Sequence, residues 1–192
     1  VRGILGSADG PAFQAAIGAI ASPYVPGLPT VISASTVAAT FTIDATKEKT
    51  VFELQNIVPV TNSDQLQILA SINGSTFDVP ISTYGVTTFG STTPYTYKTT
   101  SAVTGASMVG NLSVSNVSAN NGVSGKVEFS QQAGKKAMAM YSFKFIDGSN
   151  GLQFISGVAD IETTSNVTNL RFKFGTGNVA SGRILPMTLD LA

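Results

Sequence analysis

Cysteine, histidine and tryptophan are all missing from this 192-residue chain. Without cysteine there is no disulfide, and thiol usage says nothing about the redox compartment. Without histidine or cysteine, Ser-His-Asp and Cys-His nucleophilic arrangements are excluded, and the commonest zinc and non-haem iron sites with them. The expectation is a protein that is not an enzyme and that carries no cofactor and no metal.

Charge is scarce as well. Asp, Glu, Lys and Arg make up 11% of the residues, while 43% are hydrophobic. Ordinary domains carry about 25% charged residues. Solvated faces are built largely from those side chains. The deficit fits either a Thr/Ser/Asn-rich β surface or a surface covered by other chains, and covering by other chains is the expectation. Eleven basic residues balance eleven acidic ones. Adjacent basic residues occur only at Lys135-Lys136, beside Gly134 in a turn, so no basic patch points to nucleic acid. Nor does any run approach the roughly 18 apolar residues of a membrane helix. Ala12 to Ala21 is apolar but short, and with only Arg2 as a basic residue ahead of it the segment fits a signal peptide poorly.

The chain divides near residue 36. In residues 1–36, Asp9 can cap a helix and Pro11 suits a first turn. Phe13, Ile17 and Ile20 then recur at near-helical spacing. A helix of two to three turns is too short to be stable alone in water, so it must pack on something. Pro23, Pro26 and Pro29 follow, which makes this stretch an extended linker and not a helix or central strand.

From Val37 to Ala192 the apolar period is two. Phe41/Ile43, Phe52/Leu54, Leu66/Ile68/Ala70, Leu112/Val114, Val127/Phe129, Tyr141/Phe143/Phe145, Leu170/Phe172/Phe174 and Met187/Leu189/Leu191 each alternate with polar neighbours, apart from Leu69. That is the pattern of half-buried antiparallel strands. Turn signals lie between them at Asn73-Gly74, Asn121-Gly122, Asp147-Gly148, Asn150-Gly151 and Gly177-Asn178. The predicted fold class is all-β, a two-sheet sandwich or jelly roll. The longest gap, Thr83 to Gly110, reads as irregular strand in an excursion from the sandwich.

Three blocks resemble the jelly-roll domain of tail fibres, head fibres and related appendages of tailed bacteriophages. They are TVFELQNIVPVTNSDQLQILASINGSTFD (50–78), SGKVEFSQQAGKKAMAMYSFKF (124–145) and NVTNLRFKFGTGNVASGRI (166–184). The first carries an Asn-Ile-Xaa-Pro turn at Asn56–Pro59, and the last leads through a Gly-Asn loop into the closing strand. The likeness spans residues 37–191 and consists of structural residues. It departs from the family after Gly182, where Ile184-Leu185-Pro186-Met187 stands; Pro186 is expected to make the last strand an edge or a bulge.

The resemblance implies a jelly-roll β-sandwich on the exterior of a virion, on tail or capsid, assembled as a homotrimer. It implies a structural role: the N-terminal segment attaches to other virion proteins and the sandwich is presented to the host surface. Phe13, Ile17, Ile20 and Tyr24 are then the candidate oligomer or anchor contacts. A capsid decoration protein or head fibre is the alternative, and a carbohydrate-binding module of a secreted protein a second.

Phe89, Tyr95 and Tyr97, in the long gap, are the candidate ligand residues, since exposed aromatic rings can stack on a host glycan. The same rings would equally fill a core or a subunit interface, which is the preferred reading. Asp160 and Glu162 share a strand face, and glycoside cleavage uses two carboxylates on either side of a sugar bond, but two same-face acids on a strand are far more often solvent-facing. Asp147-Gly-Ser-Asn150 has the look of a calcium loop, yet lacks the distal Glu and further oxygens, so a hairpin turn explains it better.

Overall fold

The computed structural model describes residues 24–47, 49–89, 96–101, 105–117 and 122–189. The predicted helix with Phe13, Ile17 and Ile20 lies outside them, as does Tyr95. Among the described residues every regular element is a strand, and all pairings are antiparallel.

In chain order the strands are β1 (Tyr24–Pro26), β2 (Thr30–Ile32), β3 (Ala39–Thr42), β4 (Lys49–Pro59), β5 (Leu66–Ser71), β6 (Ile81–Phe89) and β7 (Thr96–Ser101). They continue as β8 (Ala106–Ser107), β9 (Val123–Ser130), β10 (Ala137–Ile146), β11 (Leu152–Ile161), β12 (Asn169–Phe174) and β13 (Val179–Leu189). A nine-stranded sheet runs β1-β13-β4-β9-β10-β11-β6-β7, with β2 also on β13; a four-stranded sheet runs β3-β12-β5-β8. The two sheets make a β-sandwich.

The alternation read from the sequence is what fills the space between the sheets. Along β10 buried and exposed residues alternate from Ala137 to Phe145, so Tyr141, Phe143 and Phe145 point inward as their spacing requires. Phe52 of the large sheet meets Phe41 and Phe172 of the small one, with ring centroids 5.2 and 5.3 Å away. Their tilted and edge-on geometry suits the aromatic quadrupole, and each such pair adds about 0.5–1.5 kcal/mol beyond area burial. Gln131, nearly buried, closes the end of the core by copying a strand pairing: its amide accepts the Val167 N–H at 2.9 Å and donates to the Val167 carbonyl at 3.3 Å.

Several expectations are altered by the structure. Within the long gap, the described residues of β6 and β7 form a regular antiparallel pair at the edge of the large sheet. Leu112–Ser115 forms no strand. Val114 is fully buried there and makes isolated bridges to Asp64 and Asp147. The Asn-Ile-Xaa-Pro block holds no turn but a bulge inside β4, where Asn56 takes a positive φ of 53° and its N–H is received by Ser124 Oγ. Opposite that bulge Gly182 has φ 142°, and an added Cβ would lie 2.6 Å from Ile57 Cδ1, so backbone and space both demand glycine.

Pro186 demotes nothing. It stands opposite Phe52 in full pairing with β4, and the register shifts of β13 fall earlier, between Val179 and Arg183. Its other side faces the break between β1, which pairs with Met187–Leu189, and β2, which pairs with Gly182–Ile184. The missing N–H therefore falls where no partner carbonyl is required, while the Pro186 carbonyl still accepts the Gly27 N–H at 2.7 Å. From Tyr24 to Ile32 the chain lies along β13 as those two short strands.

Candidate functional site

Of the residues singled out from the sequence, Phe89, Tyr97 and Tyr24 fall on described strands. Phe89 ends β6 opposite Phe154, whereas Tyr97 of β7 stands opposite Gly85. Gly85 and Phe89 are four steps apart along β6, about 13 Å at the usual rise. Tyr24 sits opposite Leu189 at the other end of the large sheet, half-buried. It lies beside Lys49, whose pKa is raised first by a hydrogen bond to Glu128 and, in a smaller way, by Tyr24.

The carboxylate pair is engaged in structural contacts. Asp160 is 3.8 Å from Lys136 Nζ, and Glu162 accepts a hydrogen bond from Ser82 Oγ at 2.8 Å. Asp147 shapes the β10–β11 hairpin. Its Oδ1 accepts the Ser149 and Gly151 N–H groups at 2.9 and 2.8 Å, and its Oδ2 accepts Gln153 Nε2 at 2.7 Å. Those bonds occupy the oxygens a calcium loop would use, and Asn150 takes a positive φ of 67° to close the turn. Among the described residues no three His, Cys, Asp or Glu side chains cluster to hold a metal ion, and no helix is long and apolar enough to cross a membrane.

Two surfaces carry chemistry. The first is the outer face of the large sheet. Met140, Val158 and Tyr84 stand side by side on β10, β11 and β6. Met140 and Tyr84 are 50% and 44% exposed, and Met138, Leu152 and Phe154 add exposed apolar surface around them. Charged residues flank the row: Glu128 of β9 pairs with Met140, Asp160 of β11 with Met138, Lys144 of β10 with Phe154, and Lys98 of β7 with Tyr84.

The second surface is a polar groove of about 610 Å³ at one end of the small sheet, lined by Ser63–Gln65, Gln67, Asn111, Ser113, Lys173, Gly175 and Thr176. Its floor is a cross-strand pair, Lys173 of β12 beside Gln67 of β5, with Ser107 of β8 next to Gln67. Its wall is built on Asp64, whose side chain is nearly buried. Asp64 Oδ2 accepts the Gly177 N–H at 2.8 Å and Thr176 Oγ1 at 3.1 Å. Its Oδ1 accepts the Gln65 N–H at 2.8 Å, and both oxygens lie 3.2 Å from the Thr176 nitrogen. A carboxylate buried this deeply is tolerable because backbone donors surround it. Sequence reading passed over Asp64, Gln67 and Lys173. The Asn-Ser-Asp-Gln stretch before β5 was a usable signal for a capping carboxylate, but its partner loop lies 112 residues away.

No protein-family model matches the chain, and neither a curated protein nor a solved structure was found to be similar to it. The likeness to phage appendage domains therefore rests on the three sequence blocks.

Proposed function

We propose that the chain is a structural, non-catalytic appendage protein of a tailed bacteriophage. It is a trimeric tail-fibre component on the virion exterior, anchored to other virion proteins by its N-terminal segment, and its β-sandwich, of jelly-roll type, is presented for host attachment. The phage assignment is supported by the three sequence blocks. The assembly part is carried by one observation: the Met140–Val158–Tyr84 row, with Met138, Leu152 and Phe154 about it, exposes apolar surface on the broad face of the large sheet. In a chain with 11% charged residues, such a face is suited to being covered by another copy. Three linked copies would then raise effective concentration enough for weak single contacts to hold a cell.

Light scattering coupled to size exclusion tests the assembly. The full chain should elute as a trimer, and Met140→Glu should shift it toward monomer while leaving its circular dichroism unchanged. A monodisperse monomer at micromolar concentration overturns the fibre reading. Imaging whole particles then distinguishes tail from capsid.

A further inference from the structure

We propose that the fold guards its Asn-Gly turns against succinimide modification, through Ser71 at Asn73-Gly74 and through Asp147 at Asn150-Gly151. The reaction is intrinsic to such steps. The glycine nitrogen gives up its proton and attacks the carbonyl carbon of the asparagine side chain; a C–N bond forms and ammonia leaves. Water then opens the ring to aspartate or isoaspartate, so an amide and a water become an acid and an ammonia. Glycine has no Cβ to shield its nitrogen or restrict the backbone, which eases ring closure. Both asparagines are exposed, so burial does not protect them.

The turns cannot dispense with these glycines. Gly74 has a φ of 77°, where other residues are strained. A Cβ on Gly151 would lie 3.1 Å from Asp147 Oδ2, and one on Gly148 would run into Ser63 Oγ. The chemical hazard therefore comes with the turn geometry.

In each turn the attacking N–H is already engaged. The Gly74 N–H donates to Ser71 Oγ at 3.0 Å, and the Gly151 N–H donates to Asp147 Oδ1 at 2.8 Å. The Asp147-Gly148 step, open to the same ring closure, has its Gly148 N–H on the Ser113 carbonyl at 3.1 Å. Ser71 is fully buried, so solvent does not compete for its hydroxyl. At Gly151 the acceptor is a carboxylate. That bond is charge-assisted, and a negative charge stands beside a nitrogen that would have to become anionic.

The surrounding groups are held as well. Asn73 Oδ1 accepts the Ser75 and Thr76 N–H groups at 3.0 and 2.9 Å, and its Nδ2 donates to Thr76 Oγ1. Ring closure moves the carboxamide, and those bonds would go with it. Around Asn150 the backbone is pinned on both sides: its N–H donates to the Asp147 carbonyl at 2.9 Å, and the Asp147 N–H donates to the Gly151 carbonyl at 2.8 Å. Modification of the folded chain has to wait for local opening. Asn121, in the remaining Asn-Gly step, lies outside the described residues.

Ageing the full chain at mildly alkaline pH, with aspartate and isoaspartate at Asn73 and Asn150 counted by peptide mapping, tests this. Both should convert at least about tenfold more slowly in buffer than in the same buffer with denaturing urea, the suppression given by an opening free energy of about 1.4 kcal/mol. Ser71→Ala should speed Asn73 about fivefold, the loss of a hydrogen bond, and leave Asn150 unchanged. Asp147→Ala should do the reverse. Melting curves establish that each variant is folded, and the spared asparagine is an internal control, since a general loosening would speed both. Conversion as fast in buffer as in urea overturns the proposal. So does a folded Ser71→Ala that leaves Asn73 unchanged or speeds both asparagines alike. The readout needs no virion partner and no particular oligomer, so its failure leaves the assembly reading standing.

Discussion

The Asp64 carboxylate receives the Gly177 N–H at 2.8 Å, and this contact ties the turn before β5 to the turn between β12 and β13. The two turns are 113 residues apart in sequence. Thr176 and Gln65 complete the ring of donors. The Gly-Thr-Gly-Asn loop thus owes its shape to a side chain from another part of the chain.

Asp64→Asn should therefore destabilise the protein. It replaces one acceptor oxygen by an NH2 group that must face backbone N–H donors, so at least one buried donor is left unmet. Hydrogen bonds to a charged acceptor contribute about 1.5–3 kcal/mol each, and a net loss of ~2–3 kcal/mol is expected. Urea denaturation at neutral pH measures it. An unchanged midpoint would mean that water replaces the carboxylate without cost.

The aromatic contact between the sheets supports a second prediction. Phe172 is 1% exposed and lies 5.3 and 6.1 Å, centroid to centroid, from Phe52 and Phe41. Phe172→Ala removes a ring wedged between two layers that cannot both collapse into the space. The expected loss is about 3–5 kcal/mol, read as a lowered midpoint at unchanged denaturant slope. Phe172→Leu should recover at least half of that loss.

Which parts of this architecture could be read from residues alone follows from where the apolar side chains point. β10 was legible because inward Tyr141, Phe143 and Phe145 alternate with Ser142 and Lys144. β6 was not, because the pattern is reversed: Thr83 and Thr87 are buried while Tyr84 faces outward. Thr83 is satisfied inside by donating to the Ser107 carbonyl at 2.6 Å, a partner that no local pattern reveals. In β11, Phe154 is exposed and Gln153 buried against the Asp147 hairpin, which erases the alternation again. Leu112 and Val114 misled in the opposite sense, since a buried loop plug can imitate a short strand. The groove was illegible for a related reason. Lys173 and Gln67 look like ordinary polar positions on two strands, and only the β5–β12 register brings them together.

Gly157 is a position where space decides. It lies opposite Tyr141 on β10 and Gly85 on β6. A Cβ there would fall 2.3 Å from the Tyr84 carbonyl oxygen and 2.5 Å from the Tyr141 hydroxyl. That hydroxyl donates to the same Tyr84 carbonyl at 3.3 Å. Gly157→Ala should push the Tyr141 ring off its stack with Phe143, 5.4 Å away, and part β11 from β6. A cost of ~2–3 kcal/mol is expected from overpacking against backbone. Combining it with Tyr141→Leu should recover only the part of that cost due to the ring. Full recovery would show that the Tyr84 carbonyl is not the obstacle.

Lys49 predicts a pH dependence with a definite sign. Its ammonium donates to Glu128 across the β4–β9 pair, and this bond raises its pKa above the ordinary 10.5, with burial opposing. A raised folded value means that the stabilisation is complete below the unfolded lysine value and disappears as pH climbs through the folded one. Both side chains remain partly exposed, at 27% and 34%, so solvent screening keeps the pair's contribution below about 1 kcal/mol. Lys49→Gln should accordingly lower the urea midpoint slightly and equally at pH 7 and pH 9. The two proteins should converge once the pH exceeds the folded lysine value. Added salt should narrow the neutral-pH difference in the same direction. A difference that persists unchanged at high pH would assign the effect of Lys49 to the packing of its methylene stem beside Tyr24, and not to its charge.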